Sequence, residues 1–107
     1  MMRASTADVD VFRAIADPTR RAILDRLRAG AAPVGALAAD FHQTRPAISK
    51  HIKVLRDARL VQERRDGRHR ICQLAPGPLR QVAGWLEGYR ALWQMNLDNL
   101  KRYLEGK

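Results

Sequence analysis

Residues 44–56 read Thr-Arg-Pro-Ala-Ile-Ser-Lys-His-Ile-Lys-Val-Leu-Arg, and the polar members of this run share one kind of chemistry. Arg45 can bond a guanine edge at two points, Ser49 can donate or accept, and Lys50 and Lys53 can reach bases or phosphates. Thr44 caps the start of the segment, where free backbone N–H groups favour an anion, and Pro46 is tolerated in a first helical turn. His51 lies one step from the apolar residue Ile52. It is either a packed or phosphate-bonding imidazole or a direct base reader. A second basic group follows, with Arg64, Arg65, Arg68, His69 and Arg70 around Asp66-Gly67. Such a tip suits a grip on a nucleic-acid backbone or minor groove.

These side chains need elements to hold them. Ile48, Ile52 and Leu55 recur at helical spacing, which predicts a helix over about 45–58 with Arg45, Pro46, Ser49, Lys50, Lys53 and Arg56 on its other side. A short helix over Pro33 to Asp40 and a turn at Phe41-His42-Gln43 precede it. Further upstream, Asp17-Pro18-Thr19 reads as a helix start and Gly30 as its end. An earlier helix over about Ala7 to Ala16 places Val9, Phe12 and Ile15 on one face. Downstream, residues 60–74 alternate around the Asp66-Gly67 turn signal and predict a two-stranded hairpin. Cys72 shares the alternation of Arg70 and Leu74, a place for a small buried hydrophobe, with a redox-sensing thiol as the alternative. Pro78 then opens a helix running to about Glu105. Leu79, Val82, Leu86, Tyr89, Trp93, Leu97, Leu100 and Leu104 step by threes and fours along it, and Trp85 and Leu92 widen the stripe. The preceding residues cannot cover so broad a face, which predicts pairing with a second copy, assisted by Val9 and Phe12 of the first helix.

Composition narrows the functional classes. The chain has 107 residues and a net charge of +9, which predicts one domain over 1–107 with its pairing helix at 78–105. Residues 41–70 hold nine basic groups against three acidic ones, and all three histidines. Charge concentrated in a folded middle segment favours a polyanion partner over general solvation. No run approaches the ~18 apolar residues of a membrane span. Met1 to Thr6 does not read as a secretory signal, so a cytoplasmic location is expected. A single cysteine excludes an intrachain disulfide and a thiolate cluster. No nucleophile stands beside a base, and no Gly-rich phosphate loop occurs, so the expectation is a binding protein and not an enzyme.

A short helix, a tight turn, a polar-faced helix and a basic hairpin, in that order, make a winged helix-turn-helix. The expected fold class is mainly α with a small β-hairpin and a long C-terminal dimerisation helix. The chain resembles the ArsR-type winged-helix transcription factors of bacteria over about residues 9–104. The resemblance rests on Phe12 to Leu24 (Phe-Arg-Ala-Ile-Ala-Asp-Pro-Thr-Arg-Arg-Ala-Ile-Leu), Thr44 to Leu55, Ala58-Arg59-Leu60-Val61 and the wing Arg64 to Arg68. It implies a homodimeric repressor on an inverted repeat of double-stranded DNA. The ending, from Trp85-Leu86-Glu87-Gly88-Tyr89-Arg90 to Leu104, is similar to a subgroup without metal sites, whose members often sit beside genes for small ligand-binding proteins of a helix-grip fold.

Metal-sensing members carry a cysteine pair on the helix before the recognition helix, or His and carboxylate ligands on the last helix. The first place falls near Leu37-Ala38-Ala39-Asp40, without sulfur. On the last helix no histidine follows His69, and Glu87, Asp98 and Glu105 are far apart in sequence. No metal or cofactor is therefore expected. Two rival classes stay open at this point: a non-specific architectural DNA binder, and a protein-interaction module working through the last helix. The mixed chemistry of Arg45, Ser49 and Lys50 separates a sequence reader from a phosphate-only binder, which needs mainly Lys and Arg.

Overall fold

The computed structural model describes residues 10–106. Helix α1 (Val11–Ala14) starts at Asp10, whose carboxylate accepts from the Phe12 N–H at 2.9 Å. Val9 lies outside the described residues. The buried face of α1 is Val11 and Ala14, with Phe12 and Ile15 half-buried beside it. The expected stripe of Val9, Phe12 and Ile15 is thus displaced by one position. Asp17, extended before Pro18, stops the turn that follows and caps α2 (Pro18–Arg28) by accepting from the Arg20 N–H at 3.0 Å. Ile23, Leu24 and Leu27 face the core from α2.

Ala32 and Pro33 form strand β1 (Ala32–Pro33) ahead of α3 (Val34–Asp40), so Pro33, expected as the first residue of the short helix, belongs to the strand and caps the helix instead. The turn after α3 is closed by two hydrogen bonds, His42 N to Ala39 O at 3.2 Å and Gln43 N to Ala38 O at 3.1 Å. That paired closure places His42 in the left-handed region at φ 54°. Helix α4 (Arg45–Asp57) then begins at Thr44, whose Oγ1 accepts from the Ala47 N–H at 3.2 Å. The same closure recurs at its far end, with Leu60 N on Leu55 O and Arg59 N on Arg56 O, both at 2.9 Å.

Strands β2 (Val61–Asp66) and β3 (His69–Leu74) form the hairpin, and β1 pairs antiparallel with the free edge of β3. The sheet is therefore three-stranded, in the order β1-β3-β2, and not a hairpin alone. The loop is Gly67-Arg68, one residue later than the Asp66-Gly67 signal suggested, because Asp66 still pairs with His69. Gly67 takes φ 64° at the first loop position while Arg68 stays at negative φ, the pattern that requires glycine first.

Ile23, Leu37, Ile48, Ile52, Leu55 and Leu60 are fully enclosed where α2, α3, α4 and the sheet meet. Helix α5 (Leu79–Glu105) leaves this body with only Leu79 and Val82 packed against the core, and none of its residues is buried. Phe12 meets Trp85 edge-on at 5.7 Å, Trp85 meets Tyr89 at 5.2 Å, and Tyr89 stacks with Trp93 at 6.4 Å. These rings form a ladder along the outside of α5. The described chain has a radius of gyration of 18.5 Å and extents of 66 × 37 × 20 Å. A compact domain of this length has a radius near ~13 Å. The difference is the projecting helix.

Candidate nucleic-acid interface

The α3–turn–α4 unit presents α4 by burying Ile48, Ile52 and Leu55, which turns the opposite side outward. Thr44, Arg45, Pro46, Lys50 and Lys53 are exposed, and Ser49 is half-buried at the edge of the stripe. Arg45 lies across α3, its guanidinium carbon 3.7 Å from where a Cβ on Gly35 would stand. Lys53 reaches Asp57 at 3.1 Å, one turn on. Exposed pairs of this kind are weak and readily exchanged for a phosphate.

His51 turns away from this outer face. Its Nδ1 lies 3.4 Å from an Arg20 Nη1 and 3.9 Å from an Asp17 carboxylate oxygen. Arg20 also donates through Nε to the Ala14 carbonyl at 2.7 Å, so the cluster joins α1, α2 and α4. The Arg20 backbone N–H, followed by the charges of His51 and Arg20, holds the Asp17 carboxyl below its usual value against the opposing effect of burial. This placement sets the His51 ring against Arg20 and Asp17.

On the wing, Arg64, Arg65, Arg68 and His69 are exposed. Neither Lys50 nor Arg64, Arg65 or Arg68 has an ion-pair partner among the described residues. Arg70 is the exception to the expected tip. It stands opposite Arg65 in the register, on the inward alternation, and its Nη2 donates to Glu63 Oε2 at 3.4 Å. Glu63 also accepts from Arg56 Nη1 at 2.9 Å, which ties the last turn of α4 to the wing. The sequence reading passed over Glu63. The signal was there: Val61 and Glu63 share one strand face, and an acid on the inward alternation needs cationic partners.

Cys72 is fully enclosed, and burial pushes its thiol from 9.0 up to about 11, with the nearby Glu63 charge adding to the effect. Among the described residues no three His, Cys, Asp or Glu side chains gather as a metal site would need, and no helix is long and apolar enough to cross a membrane.

A family model described as a helix-turn-helix domain matches residues 15–64. The chain is similar to the HTH-type transcriptional regulator Rv2034 of Mycobacterium tuberculosis, at 52% identity over 65 residues, 61% of each chain. It is also similar to the transcriptional repressor SdpR of Bacillus subtilis, at 36% identity over 72% of this chain and 86% of that one. A crystal structure of an ArsR family transcriptional regulator superposes with a TM-score of 0.71 and 40% identity, covering 79% of this chain and 93% of that one. Such proteins are regulators and not enzymes. With an outward-facing α4, a basic wing and these relatives, the chain belongs to the ArsR family of winged helix-turn-helix, DNA-binding transcriptional regulators.

Proposed function

We propose that the protein is a homodimeric repressor that binds an inverted-repeat operator in double-stranded DNA, acting in the bacterial cytoplasm. Helix α4 lies in the major groove, with Thr44, Arg45, Pro46, Ser49, Lys50 and Lys53 toward the DNA and His51 bracing the helix from behind. Arg64, Arg65 and Arg68 of the wing hold the flanking phosphates. The observation that carries this reading is the division of the surface. Exposed cations gather on α4 and the wing, with Lys50, Arg64, Arg65 and Arg68 lacking an ion-pair partner among the described residues, whereas the exposed large aromatic and aliphatic side chains lie on α5. One region is built for a polyanion and the other for an apolar partner. The relative SdpR is named a transcriptional repressor, which supports repression as the mode of regulation.

The test begins with DNA fragments selected by the purified protein, which should share a palindrome. On that operator Arg45→Ala is expected to cost ~1–3 kcal/mol, and less on random duplex. Equal loss on both would make Arg45 a phosphate contact. Replacing Arg65 and Arg68 with Gln should instead weaken binding on every sequence. Each lost contact should flatten the log–log salt dependence by about one unit. An unchanged slope would remove the wing from the interface, and recovery of no common sequence would favour an architectural binder.

A further inference from the structure

Two arginines belong to the DNA-facing module by position but are already occupied. Arg56 continues the line of Arg45 and Ser49 along α4, since steps of four and eleven residues return to nearly the same side of a helix. Arg70 sits on β3 beside Arg65 in the register. Both guanidinium groups converge on Glu63, one on each carboxylate oxygen, at 2.9 Å and 3.4 Å. The Glu63 side chain is only 15% exposed while the arginine side chains are 42% and 40% exposed. The acid is therefore the fixed member of the trio, and the two cations have room to move. Arg70 Nε is buried without a hydrogen-bond partner, so the arrangement leaves part of the Arg70 donor capacity unspent. A carboxylate that accepts from two guanidinium groups fills the place a DNA phosphate would take.

We propose that Glu63 is a built-in competitor for phosphate: it withholds Arg56 and Arg70 from the DNA backbone and so limits sequence-independent binding. This rests on the DNA-binding reading given above. Each cation that neutralises a phosphate strengthens binding to all sequences alike and steepens the salt dependence by about 0.9. Excess affinity of that kind holds a regulator on the many competing sites of a genome. Glu63 keeps the wing cations at the free set of Arg64, Arg65 and Arg68. It also fixes the wing against the end of the recognition helix.

The experiment measures dissociation constants on a random duplex across a salt series. Glu63→Gln keeps the side-chain shape and removes the charge. The slope is expected to steepen by one to two units and binding at moderate salt to tighten about tenfold or more. Adding Arg56→Gln and Arg70→Gln to that variant should return the slope to the wild-type value. Asp25→Asn, which makes the same charge change at an exposed position of α2, should leave it unchanged. A slope that stays the same or falls in Glu63→Gln overturns the proposal, as does an equal rise in Asp25→Asn or a steep slope retained in the triple variant.

Nitrogen resonances of the arginine side chains in the unaltered protein give a second readout, independent of how the variants fold. Adding random duplex should shift Arg65 and Arg68 and leave Arg56 and Arg70 in place. Movement of all four together would also overturn the proposal. Absence of any salt-dependent DNA binding by the wild-type protein would sink the DNA-binding reading itself. Normal wild-type binding with an unresponsive Glu63→Gln removes only the role of Glu63.

Discussion

Trp85→Ala combined with Trp93→Ala is expected to convert the protein into a monomer or an aggregate that forms no operator complex. Trp85 and Trp93 are 55% and 51% exposed, and Leu92, Leu97 and Leu100 are 52%, 60% and 54% exposed. An isolated chain has no reason to hold such a face in water, since contiguous apolar patches of this extent mark a partner surface. The side chains also recur around several turns of one helix, so a matching helix in two-fold pairing covers them most economically. Phe12 abuts Trp85 at 5.7 Å and brings α1 to the edge of the same face. Pairing of this kind would hold two α4 helices about 34 Å apart, one turn of DNA. The second half-site then binds at an effective concentration in the millimolar range. Losing the linkage should cost roughly 100- to 10,000-fold in operator affinity. Light scattering and a shift assay on the double variant make the measurement. An intact protein that is a folded monomer and still binds a full palindrome tightly would sink the pairing.

Helix α4 was legible because three residues at helical spacing, Ile48, Ile52 and Leu55, are the ones the core encloses. Its start was legible from Thr44 and its length from the apolar period. Strand β1 was not, since it has two residues, and one of them is a proline that offers no N–H to a ladder. Its existence depends on the edge of β3, a partner about forty residues away that no local pattern announces. The wing turn was displaced by one residue for a related reason. Asp-Gly is a strong signal for a two-residue loop, but the pairing of Asp66 with His69 extends the ladder and gives the first loop position to Gly67. The basic tip was counted by composition, which takes no account of strand faces. Alternation puts Arg70 on the face of Glu63 and Cys72, where Glu63 accepts from it; Arg65 shares that face but stands nearer the tip and is exposed, as are Arg64 and Arg68. Charge was visible in the sequence, but which cations are spent internally depends on the register.

Cys72 yields the other large effect, and its sign can be worked out. The thiol is enclosed in the folded chain and its ionisation is pushed from 9.0 to about 11, chiefly by burial. At pH 8 a rise of that size lowers the thiolate fraction about 100-fold. Labelling by a disulfide reagent is therefore expected only through unfolding, and operator binding should survive mild oxidants. The same rise links stability to pH. Below about 9 the thiol is neutral in both states and its contribution is fully present. Above that the unfolded chain ionises while the folded chain does not, so stability falls, and the loss is complete once pH passes about 11. It amounts to roughly 2–3 kcal/mol. Lysines and tyrosines titrate in the same range, so the readout is a difference. Cys72→Ala should show a cost that is constant below pH 9 and shrinks steadily as pH rises toward 11. Parallel profiles for the two proteins in chemical unfolding, or rapid labelling of the folded wild type at pH 8, would restore the redox-sensing reading of this cysteine.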